Sequence, residues 1–123
     1  MHILIVEDNE DNRRLLLKRL RGLGHQLREA ASGQAALEAI RLEVPELILL
    51  DLQLPDMPGE LLARQLRADL RLQHTVLIAC TAFAMPQDKE RALAAGCDGY
   101  LSKPLDLRRI AEQLEEIVHE AQH

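Results

Sequence analysis

The chain has 123 residues, 47% apolar and 28% charged, which suffices for one domain with its own core and excludes a disordered acidic chain. A net charge of −5, with one Phe, one Tyr and no Trp beside twenty-five Leu, removes both the electrostatic drive toward nucleic acid and the stacking surfaces that single strands need. Two cysteines, Cys80 and Cys97, are too few for a disulfide scaffold, and no apolar run approaches the roughly 18 residues of a membrane span. The start, Met1 to Asp8, lacks the basic head and long apolar stretch of a signal peptide. The expectation is a soluble, cytoplasmic single domain over 1–123, without membrane or nucleic-acid partners.

Short apolar runs alternate with longer amphipathic stretches, the pattern of βαβ units around a parallel sheet. Ile3–Val6 is the first strand and ends on Glu7-Asp8. Asn9, Glu10 and Asp11 supply N-cap chemistry for a helix carrying Leu15, Leu16, Leu20 and Leu23, closed by Gly22 and Gly24. Gln26–Ala30 alternates weakly, as an edge strand does; Ser32-Gly33 then opens a helix with Ala36, Leu37 and Ile40 on one face. After Pro45, Leu47–Leu50 is apolar throughout, fitting a central strand buried on both faces, and it ends on Asp51. Leu54–Gly59 is a loop by its Pro and Gly content, and Leu62, Leu66 and Leu70 recur every four residues in the helix that follows. Thr75–Cys80 is a fourth strand ending at Thr81, and Gln87–Ala95 a helix closed by Gly96. Gly99–Ser102 is a short fifth strand ending at Lys103-Pro104. A last helix starts near Asp106 and carries Leu107, Ile110, Leu114 and Ile117. Five strands and five helices alternate, with no linker or repeat.

Glu7, Asp8, Asp51, Thr81 and Lys103 therefore stand at the carboxyl ends of four strands, the edge where open α/β sheets bind ligands. Three carboxylates in one crevice repel each other unless a cation is present, and oxygen ligands with room for water suit Mg²⁺. A metal, a lysine and a hydroxyl around a carboxylate cradle a transferring phosphoryl group, and a carboxylate such as Asp51 can act as its nucleophile.

The motifs Ile5-Val6-Glu7-Asp8-Asn9, Leu50–Gly59, Thr81-Ala82 and Gly99–Pro104, with steps of 43, 30 and 22 residues from Asp8 through Asp51 and Thr81 to Lys103, resemble the receiver domain of two-component response regulators along essentially the whole chain. Thr81–Met85 is more similar to stand-alone cell-cycle regulators and hybrid-kinase receivers than to chemotaxis ones. The resemblance implies a flavodoxin-like (βα)5 doubly wound sheet in the order 2-1-3-4-5. It makes Asp51 the phosphoacceptor and gives Mg²⁺ to Glu7, Asp8, Asp51 and the backbone carbonyl of Gln53. Lys103 then pairs with a phosphoryl oxygen across a cis Lys103–Pro104 bond, and Thr81 and Tyr100 are the switch residues. Gln53, Ala82 and Phe83 flank the pocket at positions that tune phosphoryl lifetime in the family. The expected partner is a histidine kinase or phosphotransfer protein, and the chain catalyses only its own phosphorylation and dephosphorylation.

Taken singly, each residue has a blander role: Glu7 and Asp8 could cap the first helix, Asp51 start a turn, Thr81 cap a helix, and Lys103 sit in solvent. Their joint occurrence favours the phosphoryl site. His2, His25, His74, His119 and His123 lack metal-ligand spacing, Cys80 and Cys97 read as free thiols, and Arg108-Arg109 as a solvated pair. The competing functions are a degenerate receiver serving as a constitutive platform, which the intact site argues against, and a haloacid-dehalogenase-type hydrolase. That hydrolase family places its nucleophile after the first strand and needs a cap for which this chain leaves little room. For the output, the helix 87–95 has Leu93 as its one large apolar anchor. It is expected to shift, so that it, the Tyr100 strand and the last helix meet a downstream protein or a second copy of the chain.

Overall fold

The computed structural model describes residues 1–82 and 85–122. Strands β1 (His2–Val6), β2 (Gln26–Ala30), β3 (Leu47–Asp51), β4 (Val76–Thr81) and β5 (Gly99–Ser102) alternate with helices α1 (Glu10–Gly22), α2 (Gly33–Leu42), α3 (Gly59–Ala68), α4 (Pro86–Ala94) and α5 (Ile110–Ala121); a 3₁₀ turn at Leu70–Leu72 follows α3. All pairings are parallel and the sheet order is β2-β1-β3-β4-β5, as expected.

The two-residue period of the strands sorts the core into two layers. Leu4, Val6, Ile48, Leu50, Leu77 and Ala79 face α2, α3 and α4, meeting Ala36, Ile40, Leu62, Leu66 and Ala92. Ile3, Ile5, Leu47, Leu49, Ile78 and Cys80 face α1 and α5, meeting Leu16, Leu17, Leu20, Ile110 and Leu114. Strand β3 is buried along its whole length, which is why it reads as an unbroken apolar run. No helix among the described residues is long and apolar enough to cross a membrane.

Local chemistry sets most helix starts. The Asn9 side chain accepts from Asn12 N at 2.9 Å, and Ser32 Oγ from Ala35 N at 3.1 Å, both at N-caps. The last helix departs from expectation: Asp106 holds a turn, accepting from Arg108 N through Oδ1 and from Arg109 N through its carbonyl, and the helix begins at Ile110. Two leucines also change role. Leu70 lies beyond α3 and is 78% exposed, with Leu72 buried in its place. Leu93 is 44% exposed, and the residue that seats α4 on the sheet is Ala92, fully buried. The helical repeat explains both: α3 stops at Ala68, ending the four-residue spacing, and in α4 the next position round the helix, Ala92, joins the core while Leu93 turns outward. Phe83, expected to flank the pocket, and His123 lie outside the described residues, as does the Ala84 part of the Thr81–Met85 motif.

Candidate functional site

Strand β1 delivers Glu7 into the crevice at the carboxyl edge of the sheet. Its amide donates to Ala30 O at 3.0 Å and its carbonyl accepts from Arg13 Nη1 at 2.9 Å, so the backbone is held from β2 and from α1. The side chain is buried; Oε1 accepts from Asn12 Nδ2 at 3.2 Å and from Lys103 Nζ at 2.8 Å, while Oε2 is buried with no hydrogen-bond partner among the described residues. Strand β3 delivers Asp51, also buried. Its Oδ1 accepts from Gln53 N at 2.9 Å and its Oδ2 from Lys103 Nζ at 2.9 Å. Asp8 stands exposed at the rim, and carboxylate oxygens of Glu7, Asp8 and Asp51 all lie within 4.8 Å of one another.

Lys103 reaches this point because β5 carries it there: its amide donates to Thr81 O at 2.8 Å, extending the β4–β5 ladder by one residue, and the Lys103–Pro104 bond is cis. Thr81, at the end of β4, is buried one strand from Asp51. Tyr100 is not in the crevice; it lies half-buried on the α4 side of the sheet, packed on the layer beneath α2, α3 and α4. Burial raises its hydroxyl pKa above the usual value, with the Asp88 carboxylate on α4 adding to the effect.

The electrostatics are those of crowded carboxylates with one counter-ion. Burial, and then the neighbouring Asp51, push Glu7 upward against the pull of Lys103. Burial alone would lower Lys103, but its bonds to Glu7 and Asp51 outweigh it and the ammonium is held above its ordinary value. One lysine against three carboxylates leaves the cluster short of positive charge, and the orphaned Glu7 Oε2 is an acceptor awaiting a donor or a cation. An all-oxygen set with one exposed member fits Mg²⁺.

Of the residues singled out in the sequence, Glu7, Asp8, Asp51 and Lys103 converge directly. Gln53 contributes its amide to Asp51 and pairs with Pro58 across the loop. Two supporting residues were not among those singled out. Asn12 reaches Glu7 only because α1 turns it back toward the strand end. Asp56 accepts from Gly33 N and Gln34 N, each at 2.9 Å, tying the loop after β3 to the start of α2. Local pattern could have hinted at Asn12, one turn into a helix that begins beside the acidic pair; nothing local links residue 56 to residue 33. His2 and His25 sit at the opposite edge, His2 with Arg28 and Glu43 and His25 with the N-terminal amine. Cys80 and Cys97 are buried free thiols, each pushed up to about 12 by burial.

The family model for the response regulator receiver domain matches residues 3–115. The polar-differentiation response regulator DivK of Brucella ovis is 39% identical over 119 residues, spanning 97% of each chain. Among solved structures, the receiver domain of a sensor histidine kinase from Pseudomonas aeruginosa, with a magnesium ion coordinated in its active-site cleft, superposes with a TM-score of 0.85 at 32% identity, covering 95% of this chain and 96% of that one. A CheY-like receiver domain protein from Methanospirillum hungatei superposes at 0.86 with 30% identity, covering 98% and 94%.

Proposed function

The chain belongs to the response regulator receiver family, and from that premise we propose that Asp51 is its phosphoacceptor, charged by a histidine kinase or phosphotransfer protein. The observation that carries this reading is the placement of one ammonium, Lys103 Nζ, within 2.9 Å of both a buried Asp51 and a buried Glu7 whose second oxygen has no hydrogen-bond partner among the described residues.

Glu7, Asp8 and Asp51, with the backbone carbonyl of Gln53, would hold the Mg²⁺ that the acidic cluster suits, and the Pseudomonas relative carries this ion in its cleft. When bound, the cation supplies charge neutralisation for the carboxylates and the phosphoryl oxygens. Asp51 supplies the attacking oxygen: the P–N bond of the donor phosphohistidine breaks, the Asp51 O–P bond forms, and the imidazole departs with the electron pair. The transition state is loose and gathers charge on the equatorial oxygens. Lys103, already against Asp51 Oδ2, needs only a small swing to meet one of them, and the Thr81 hydroxyl lies one strand away. The Gln53 amide holds the other Asp51 oxygen and so fixes the direction of attack. The chain acts on no separate substrate; it catalyses its own phosphorylation and hydrolysis.

The output reading follows from the elements beside Thr81. Helix α4 has a single buried side chain, Ala92, and its N-cap Met85 makes no side-chain hydrogen bond, so it is lightly held. With Thr81 drawn to the phosphoryl group and Tyr100 turning inward, α4, β5 and α5 would present a changed surface to a downstream protein or a second copy of the chain.

Intact-mass measurement after incubation with acetyl phosphate and Mg²⁺ tests the acceptor. A gain of one phosphoryl group, removed by hydroxylamine and lost in Asp51→Asn, is expected; labelling that persists in Asp51→Asn would assign another carboxylate.

A further inference from the structure

Asp51 stands on the wall of a cavity of about 380 Å³, within the roughly 300–1,000 Å³ range of small-molecule sites. It lies between α1, the sheet and the segment leading into α5. Leu15 and Leu16 form one side and Leu105 and Leu107 the other, with Leu49 and Cys80 at the floor. Arg19 Nε donates to Leu107 O at 2.8 Å, latching α1 to that segment, so the walls are held apart at a set width without an occupant. The polar side chains in the lining, Glu7, Asn12, Asp51 and Lys103, are joined in one cluster by hydrogen bonds from Asn12 and Lys103 to Glu7 and from Lys103 to Asp51.

This layout specifies its occupant. One end of the molecule must be a phosphoryl group, to meet Lys103 and Asp51, and the rest must be apolar and uncharged, because the walls away from that end, Leu15, Leu16, Leu49, Leu105 and Leu107, offer a charge no partner. The rim residue Leu15 is 54% exposed whereas Leu49 is 1% and Cys80 4% exposed, so the rim is open and the apolar floor is covered. A slender aliphatic chain reaches such a floor and a flat protein surface does not.

Building on the phosphoacceptor reading of Asp51, we infer that the cavity selects, as small-molecule phosphodonors, acyl phosphates bearing an uncharged aliphatic tail of a few carbons over acetyl phosphate. In the transfer, the P–O bond of the acyl phosphate breaks and the Asp51 O–P bond forms. The acid departs as its carboxylate with the electron pair, and no proton moves. Acetate and butyrate are leaving groups of nearly equal basicity, so a rate difference between their acyl phosphates reads the tail and not the chemistry.

The test measures initial rates of phosphorylation with acetyl phosphate and with butyryl phosphate, at equal subsaturating concentrations and saturating Mg²⁺. Each buried methylene favours binding about fourfold, so butyryl phosphate, with two more than acetyl phosphate, is expected to react roughly fifteenfold faster. Leu15→Trp and Leu107→Trp, which plug the mouth from opposite sides, are expected to bring the ratio of the two rates toward one, with folding checked by circular dichroism. Butylphosphonate, which cannot transfer its phosphoryl group, is expected to bind more tightly than methylphosphonate in an NMR titration. Equal rates for the two donors, or a ratio unchanged in both plugged variants, overturn the inference and leave the cavity to an apolar side chain of a protein donor. Equal phosphonate affinities overturn it likewise. Failure of both donors to label the chain, or labelling of Asp51→Asn, would instead bring down the phosphoacceptor reading and this inference with it.

Discussion

At Gly59 the first turn of α3 passes so close to the segment just after β3 that a Cβ would lie 2.4 Å from Leu52 Cα and 2.9 Å from Leu52 O. Those are backbone atoms, and they belong to the segment whose next residue, Gln53, holds Asp51 Oδ1. Gly59→Ala must therefore move the loop. It is expected to cost about 2–3 kcal/mol in urea denaturation and to slow phosphorylation. Gly22 is the internal control: nothing lies within 4 Å of its added Cβ and it ends a helix, so Gly22→Ala should stabilise by about 0.5 kcal/mol through the unfolded chain. Equal stabilities for Gly59→Ala and the parent would show that the loop yields freely. In the sequence Gly59 was legible only as a loop glycine, because the residue it touches, Leu52, is brought there by the turn itself.

Between elements, the loop after β3 is fastened to α2 by one side chain. The Gln34 N–H, and then the Gly33 N–H, hold the Asp56 carboxyl below its ordinary 3.8, and its charge sits at the positive end of the helix. A carboxyl depressed in the folded state adds stability that is full above the unfolded value and is lost as pH falls through the folded one. The stability gap between the parent and Asp56→Asn is thus expected to hold from neutral pH down to 3.8 and then to shrink, as read from denaturation at a series of pH values. A gap that does not close on acidification would contradict the cap. The other informative element is α4, seated by Ala92 and not by Leu93. Ala92→Leu is expected to destabilise by about 1–3 kcal/mol and to speed amide exchange along α4, whereas Leu93→Ala should stay within about 0.5 kcal/mol. A core-sized loss for Leu93→Ala would return the anchor to that leucine.

Across the whole molecule, Arg67 joins pieces of chain that no local pattern connects. From the last turn of α3 its Nε donates to Gly96 O at 2.9 Å, Nη1 to Leu72 O and Thr75 O, each at 3.0 Å, and Nη2 to Asp98 Oδ2 at 2.8 Å; that oxygen also accepts from Leu77 N. One guanidinium thereby ties α3 to the 3₁₀ turn, the entry to β4 and the segment between α4 and β5. Gly96, at φ +107° with Arg67 Cγ 2.8 Å from where a Cβ would stand, leaves it room. Arg67→Ala is expected to lose about 2–3 kcal/mol, and Arg67→Lys to recover little of it, because an ammonium lacks the planar fork. Full recovery by lysine would show that charge alone matters.

The sequence by itself determined the alternation of strands and helices, the buried central strand, and the delivery of Glu7, Asp8, Asp51 and Lys103 to one edge. Periodicity is local, and a parallel sheet sends every strand end the same way. The strand order came from likeness to a family and not from the residues' own pattern. Only the tertiary structure decided that α5 begins at Ile110, that Ala92 seats α4, that Glu7 keeps an oxygen with no partner among the described residues, and that Arg67 and Asp56 fasten distant segments. Each of those depends on the distance between residues far apart in the chain, and hydrophobic pattern carries no measure of that distance.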